Sequence, residues 1–204
     1  MSYFETRVPN FLELGFNESS LPQLKTYIEL LWAANSELNL FSRKMTFEEL
    51  VDNHLVDCLL PLPHFPKNLK NVADFGSGGG LPGVIYAIQF PETRFHLFEK
   101  SNKKQAFLKR CQKIAKNLEI HGEIPKDLIN IDLITARAFK PIDVILDLSR
   151  SYYHGGGKYF LLKGRKEKIE EELSLARRTS KELTAELIPL SSPILDVERH
   201  LVLI

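Results

Sequence analysis

Four glycines between Gly76 and Gly80 are the residues of this sequence that point most clearly to ligand binding. They follow the apolar run from Val72 to Phe75 and precede Pro82, a residue that suits the first turn of a helix. Glycine leaves room for a ligand against the backbone, and the free N–H groups at a helix start bind polar ligand atoms. Because four glycines in five positions cost conformational entropy that packing does not require, the pattern predicts a binding loop rather than only a tight turn.

Two carboxylates flank this loop and bear on which nucleotide cofactor it binds. The spacing Gly78-x-Gly80-x-x-Gly83 satisfies the dinucleotide fingerprint, so NAD stays open. Asp74, at the end of the preceding strand, would repel a pyrophosphate and attract the ammonium end of S-adenosylmethionine. Glu99, at the end of the next strand, is placed to accept the ribose hydroxyls of either cofactor. An acid ahead of the glycines favours S-adenosylmethionine.

The elements that must position these groups are short apolar runs that alternate with amphipathic helices. Seven runs are predicted as strands: residues 71–75, 94–98, 118–121, 132–136, 158–163, 185–190 and 199–204. Strand and helix alternation of this kind implies a parallel sheet covered on both faces. The last two runs are too close for a helix between them, so they predict an antiparallel pair at the edge. The fold class is therefore α/β, a modified doubly wound sheet.

The first 60 residues have helical periodicity instead, with apolar side chains at i, i+3, i+4 and i+7 from Leu24 to Leu31 and again from Phe47 to Leu59. Thr46 with Glu49 predicts a capping box for the second of these helices. Three prolines within residues 61–70 break the pattern. We expect an N-terminal helical extension over residues 1–65 and a second domain over residues 66–204.

Basic residues concentrate in one segment although the net charge is only +1. Residues 100–116 contain seven Lys or Arg and no acid, so the rest of the chain carries a net charge of −6. The apolar positions of this segment share one helix face, which leaves Lys109 and Lys113 on the outside. A polyanion such as RNA would find one local patch here, and a merely solvated helix face stays open.

Composition excludes several other classes of protein. Cys58 and Cys111 lie 53 positions apart without Cys or His ligand spacing, which argues against a disulfide scaffold and a cysteine-rich zinc site, and we expect no metal ligand. No apolar run approaches the roughly 18 residues of a membrane span, and the N-terminus lacks the pattern of a signal peptide. We expect a cytoplasmic protein that is a monomer and does not enter a membrane.

Four motifs in suitable order and spacing carry a family resemblance: GSGGGLPG (76–83), ARAF (136–139), LKG (162–164) and ERHLVLI (198–204). With Asn39-Leu40 and the helix His54-Leu55-Val56-Asp57, they cover nearly the whole chain. The sequence resembles the bacterial small-subunit rRNA guanine-N7 methyltransferases, also called glucose-inhibited division protein B. The resemblance implies a class I Rossmann-like methyltransferase with an N-terminal helical extension. It also implies methyl transfer from S-adenosylmethionine to N7 of one guanine in 16S rRNA.

The resemblance also assigns residues by position. Gly76 and Leu81 match residues that contact the cofactor. Arg137 matches an arginine that follows strand four, where it would meet the methionine carboxylate or an RNA phosphate. The family's Arg-Ala-Glu after strand three is replaced here by Glu123-Ile124-Pro125, so adenine contacts are expected from Ile124 and Pro125, through the backbone. Together with the residues found above, the cofactor set is Asp74, Gly76, Gly78, Gly80, Leu81, Glu99, Ile124, Pro125 and Arg137.

RNA contacts are expected from basic residues on the segment after strand two, in the N-terminal extension and at two strand ends. They are Arg43, Lys44, Lys100, Lys103, Lys104, Lys109, Lys113, Lys163 and Arg199, where either Arg43 or Lys44 matches a family arginine. His54 lies on an apolar helix face, which suits a core histidine, while its match to the family's His-x-x-Asp segment suits a role in closing the site.

Guanine N7 has an in-plane lone pair and no hydrogen, so this reaction requires no general base, and Arg137 would act by positioning. The partner is 16S rRNA, the small subunit or an assembly intermediate. Two other functions stay open. One is a non-catalytic RNA-binding or ribosome-assembly protein that keeps the fold, for which the altered segment after strand three is the only support. The other is a small-molecule methyltransferase, which the basic helix disfavours.

Overall fold

A seven-stranded sheet organises the computed structural model, which describes residues 2–204. Its strands are β1 (Asn71–Phe75), β2 (Arg94–Phe98), β3 (Leu118–His121), β4 (Leu133–Arg137), β5 (Tyr159–Lys163), β6 (Glu186–Leu190) and β7 (Arg199–Leu203). All seven predicted strands are present, each within about one residue of its expected bounds. Their order across the sheet is β3-β2-β1-β4-β5-β7-β6.

Strand direction confirms the predicted fold class. The first five strands pair in parallel, while β7 runs antiparallel to both β5 and β6. The two last strands therefore form the expected antiparallel pair at one end of the sheet. The reversed strand is β7, which lies one position in from the edge, and β6 is the edge strand.

Helices cover both faces of this sheet. They are α1 (Tyr3–Glu13), α2 (Leu21–Leu38), α3 (Phe47–Leu50), α4 (Asp57–Leu59), α5 (Gly83–Gln89), α6 (Asn102–Cys111), α7 (Ile142–Leu148), α8 (Arg150–His154) and α9 (Lys166–Thr179). A π-helical segment, Val51–Val56, joins α3 to α4. The predicted capping box is present at the start of α3, where Glu49 N–H donates to Thr46 Oγ1 and Thr46 N–H donates to Glu49 Oε2.

The apolar core lies in two parts, one on each face of the sheet. The N-terminal helices and α5 and α6 pack on one face, and α7 and α9 pack on the other. Leu31 of α2 lies close enough to Gly79 that a Cβ built there would be 2.8 Å from Leu31 Cδ1. The N-terminal helices thus share a core with the glycine loop, and the division after residue 65 stays a prediction. No helix within residues 2–204 combines the length and the apolar character needed to span a bilayer.

Candidate active site

A cavity of about 380 Å³ opens at the carboxyl edge of the sheet, beside the point where β1 and β4 lie next to each other. After β1 the chain continues toward β2, and after β4 it continues toward β5 on the other side of the sheet. Open α/β sheets bind ligands at the point where the strand order reverses in this way. Six of the predicted cofactor residues line it: Gly76, Gly78, Leu81, Glu99, Ile124 and Arg137. Gly80 and Pro125 do not line the cavity, nor does Asp74.

The glycine loop forms one wall of this cavity, and its backbone explains why glycines stand there. Gly76, Gly78 and Gly80 have φ values of +69°, +56° and +92°, a conformation that side chains disfavour. At Gly78, a built Cβ would have only Gly76 O within 4 Å, at 3.8 Å. At Gly76, a Cβ would instead overlap the ring of Phe139. The loop is therefore packed at Gly76 and open at Gly78.

Glu99 holds this loop through its carboxylate. Its Oε2 accepts the Gly78 N–H at 3.0 Å and its Oε1 accepts the Ser101 N–H at 2.8 Å. Each carboxylate oxygen retains further acceptor capacity, because an ionised carboxylate offers about four lone-pair positions. Glu99 can thus hold the loop and, at the same time, accept hydrogen bonds from the hydroxyl groups of a ligand.

Asp74 lies beneath the loop rather than on the cavity wall. Its side chain is fully buried, and a Cβ at Gly83 would be 2.5 Å from Asp74 Oδ2. Within residues 2–204 no donor makes a hydrogen bond to either carboxylate oxygen. Burial raises the pKa of Asp74 to about 7, against smaller lowering effects of Ser77 and the Gly83 N–H. We expected direct contact with a ligand, and the structure instead places this carboxylate under the first turn of α5.

Arg137 is held by two residues of the N-terminal segment. Its Nη1 donates to Asp57 Oδ2 at 2.8 Å, and its Nη2 lies 2.9 Å from His54 Nδ1. Because a guanidinium only donates, His54 Nδ1 is the acceptor and its hydrogen lies on Nε2. Burial, with a smaller effect of Arg137, lowers the pKa of His54 to about 4, so the imidazole is neutral near pH 7. Arg137 Nε is buried and has no protein partner among the described residues.

A second cavity of about 380 Å³ adjoins the first and shares Arg137, Ala138 and Phe139 with it. Two residues predicted to contact RNA line this second cavity, and both are ion-paired. Lys163 Nζ lies 2.7 Å from Glu172 Oε2, and Arg199 Nε lies 2.5 Å from Asp57 Oδ1. Asp57 therefore bridges Arg137 and Arg199.

The other predicted RNA residues lie at the surface. Arg43 and Lys44 are exposed in the loop between α2 and α3, and Lys103, Lys109 and Lys113 are exposed on or just after α6. Lys100 and Lys104 line the first cavity, so the basic segment begins at its rim. In the described part of the chain, Lys100 is the one basic residue of this segment with an acidic partner, Glu123, at 3.6 Å.

Comparison with known proteins shows which family has this sequence. The family model for rRNA small subunit methyltransferase G (GidB) matches residues 20–202. The chain belongs to this family. The resemblance found in the sequence is thereby confirmed, and with it the methyltransferase class.

Curated members of the methyltransferase G family align over almost the full chain. Ribosomal RNA small subunit methyltransferase G 1 from Bdellovibrio bacteriovorus is 68% identical over 202 residues, 99% of this chain and 98% of that protein. Ribosomal RNA small subunit methyltransferase G from Brachyspira hyodysenteriae is 35% identical over 198 residues, 94% of this chain and 93% of that protein.

Solved structures with little sequence identity share the fold. A putative O-methyltransferase from Klebsiella pneumoniae is 12% identical, with a TM-score of 0.58 over 87% of this chain and 88% of that chain. Precorrin-6y C5,15-methyltransferase from Geobacter metallireducens is 13% identical, with a TM-score of 0.53 over 79% of this chain and 90% of that chain. These likenesses concern the fold alone.

Two residues of the site in this methyltransferase G family member, Asp57 and Phe139, were not predicted from the sequence. Asp57 received no role, although it follows His54 by three positions on a helix and this spacing puts both side chains on one face. Phe139 was part of a motif without a function, and the structure packs it on Gly76. Cys58 and Cys111 are free and buried, and burial raises the pKa of each to about 12, so neither is a thiolate at neutral pH.

Proposed function

We propose that this protein transfers a methyl group from S-adenosylmethionine to N7 of a guanine in 16S rRNA. The observation that carries the proposal is the cavity in which the open glycine loop, Glu99 and Arg137 meet, in a chain of the methyltransferase G family. Its basic rim, from Lys100 through α6, supplies charge for an RNA substrate. The protein acts in the cytoplasm, where small subunits assemble.

The residues present fit S-adenosylmethionine better than a dinucleotide. The cavity leaves open space at Gly78, beside a carboxylate that can accept ribose hydroxyls. Asp74, with its pKa near 7, places partial negative charge under the first turn of α5, where a dinucleotide would set its pyrophosphate. This charge opposes a phosphate and favours a cation.

Within the cavity, the chain's own residues bind and orient the reactants. When bound, S-adenosylmethionine supplies the electrophilic methyl group. Arg137 is a positioning residue: Asp57 and His54 fix its two terminal nitrogens, which holds the guanidinium charge at the cavity wall for an anionic group of a reactant. Because N7 carries a free lone pair, no side chain has to remove a proton. Neutral His54 acts as an acceptor for Arg137 rather than as an acid.

The target guanine enters through the second cavity. This cavity shares the segment from Arg137 to Phe139 with the first, so a base held there lies next to the group that transfers the methyl. Its walls carry Lys163 and Arg199, and the carbonyl oxygen of the base can accept a hydrogen bond from either cation. Such a pocket requires an unstacked base, as RNA loops provide.

The test is methyl transfer with labelled S-adenosylmethionine, followed by mapping of N7-methylguanine. Three substrates are compared: naked 16S rRNA, assembly intermediates and complete small subunits, each from cells that lack this protein. We expect one modified guanine with at least one of them and none with a Gly78→Val variant. S-adenosylhomocysteine binding without methyl transfer to any of the three would indicate a non-catalytic assembly protein. Binding of NAD in its place would overturn the cofactor assignment.

A further inference from the structure

Three side chains with metal-binding atoms converge on the sheet, and none of them lines either cavity. They are His96 of β2 and Glu119 and His121 of β3. His96 Nδ1 lies 3.1 Å from His121 Nε2 and 3.3 Å from Glu119 Oε2. The third side of the triangle, from His121 Nε2 to Glu119 Oε2, is 3.9 Å.

The register of the parallel strands brings these residues together. His96 pairs with Glu119, and Phe98, two positions on, pairs with His121, so all of them point to the same face. No helix lies between β3 and β4 in this chain, and this face of the edge strand is left accessible. The side chains are 16%, 42% and 37% exposed for His96, Glu119 and His121, which lets an ion enter from solvent.

We propose that His96, Glu119 and His121 bind a divalent transition-metal ion such as Zn²⁺. The centre of their triangle lies about 2.0 Å from all three atoms, and Zn²⁺ takes imidazole nitrogen and carboxylate oxygen at about 2.0–2.2 Å. Two histidines and one carboxylate form a ligand set that zinc uses with a further position for water. The ion takes the place of the hydrogen bond that the two imidazoles otherwise share.

Two neighbours orient the ligands. Asn71 Oδ1 lies 3.2 Å from His96 Nε2 and accepts its hydrogen, which leaves the lone pair of Nδ1 facing the cluster. Arg94 Nε lies 3.2 Å from Glu119 Oε1 and holds that oxygen, which leaves Oε2 for the ion. Partners of this kind fix the tautomer and direction of metal ligands in proteins.

No metal ligand was predicted, because the sequence around Cys58 and Cys111 lacks ligand spacing. The two histidines stand 25 positions apart, and only the register of β2 with β3 joins them. The site also reaches the first cavity. Glu99 N–H donates to His121 O at 3.0 Å, and Gly122, the next residue, lines that cavity. A bound ion would therefore link β3 to β2 next to the first cavity.

Calorimetry with ZnCl₂ on chelator-treated protein tests the site. We expect one ion per chain and a rise in the melting temperature as the ion concentration exceeds its Kd. Mg²⁺ prefers oxygen ligands and should not compete. His121→Gln and Glu119→Gln should each weaken binding at least about 10-fold, and Asn71→Leu about 10- to 100-fold through loss of the acceptor for His96.

Exposed histidines elsewhere provide the matched control. His64→Gln and His154→Gln should leave zinc binding unchanged, because both are exposed and lie outside the cluster. Melting curves without metal establish that each variant is folded, and Glu119→Gln changes a side chain that is already 42% exposed. Equal zinc affinity of the wild type and His121→Gln would overturn the proposal, as would wild-type protein that binds no zinc.

Discussion

Arg137 Nη1 donates a hydrogen bond of 2.8 Å to Asp57 Oδ2 across 80 positions of the sequence. The two side chains are 13% and 8% exposed, so this ion pair is mostly removed from water. Its partners come from the end of β4 and from the helix that follows the π-helical segment. The pair therefore ties the N-terminal extension to the carboxyl edge of the sheet.

Arg137→Ala should reduce methyl transfer by roughly 10- to 150-fold, because a charge-assisted hydrogen bond to a ligand is worth about 1.5 to 3 kcal/mol. The same change should lower stability by about 3 kcal/mol, since it takes one partner from a buried carboxylate. Arg137→Lys should restore much of the stability and only part of the activity, because an ammonium lacks the two-pronged geometry. Melting temperature and methyl transfer are measured on the same preparations.

Asp57→Asn is the control for Arg137, because it weakens the ion pair and leaves the guanidinium in place. If Arg137 acts on a ligand, the Asp57→Asn variant should keep more activity than the Arg137→Ala variant at a comparable melting temperature. Equal activity of the two variants at matched stability would assign Arg137 a structural role only.

Gly78→Val should abolish binding of S-adenosylhomocysteine, because the added side chain enters the open part of the cavity. The change also strains a residue with φ +56°, which costs about 1 to 2 kcal/mol. Calorimetry measures the binding, and thermal melting measures the strain.

Gly156→Val separates these two effects. Gly156 has φ +80° and open space around it, so valine there should cost similar stability, while its position after α8 is remote from the glycine loop. We expect Gly156→Val to bind S-adenosylhomocysteine like the wild type. A loss of binding in both variants would attribute the effect at Gly78 to strain alone.

Changing Lys109 and Lys113 to Ala should weaken RNA binding and flatten its dependence on salt. Each lost phosphate contact removes roughly 0.7 to 0.9 log unit of slope. Lys67 and Lys181 are exposed lysines at other places, and their replacement by Ala removes the same charge without touching α6. If the salt dependence of RNA binding is unchanged without Lys109 and Lys113, or changes equally without Lys67 and Lys181, then α6 does not bind RNA and its outer face is only solvated.

Asp74 should make stability fall as pH rises. Its pKa is about 7 in the folded protein and about 4 unfolded, so between these values the folded chain holds a proton that the unfolded chain has lost. The Asp74 contribution to the free energy of unfolding therefore falls by about 4 kcal/mol between pH 4 and pH 7. Above pH 7 it no longer changes with pH. His54 acts in the opposite sense, with stability lost as pH falls from about 6.5 to 4.

Urea unfolding of the wild type and Asp74→Asn at several pH values isolates the Asp74 contribution. Subtracting the two curves removes His54, which both proteins contain. Arg137 and Glu99, the nearby charged groups, also remain in both. The slope of the difference is the measurement, because a constant offset reports only the fit of the asparagine side chain. A flat difference from pH 5 to 7 would contradict the raised pKa.

Local pattern was sufficient to predict the strands, the helices around Leu24–Leu31 and Phe47–Leu59, and the helices after the glycine loop and in the basic segment. Runs such as residues 71–75 and 94–98 are largely apolar because parallel strands are buried on both faces, and the structure gives them the same bounds. Thr46 and Glu49 form their capping box because its contacts span three positions. Each of these signals lies within one segment of the chain.

Contacts between distant segments could not be predicted in this way. Asp57 meets Arg137 because α4 and the end of β4 approach in space, and His96 meets His121 because of strand register. The placement of β7 between β5 and β6 depends on which strands pair with each other, and the spacing of apolar residues does not predict strand pairing. Asp74 was predicted at the right strand end, but whether it faces a ligand or lies under the loop depends on Gly83 and α5.

The hydroxyl of Tyr27 donates to the carbonyl oxygen of Gly79 at 2.7 Å, and Leu31 packs on the same glycine. Helix α2 of the N-terminal extension thus packs directly beneath the glycine loop. A protein engineer who wants to transplant this catalytic core should therefore carry the residues before 66 along with it. Fusion partners belong at the exposed turns, for instance near Gly156, and not between α2 and the sheet.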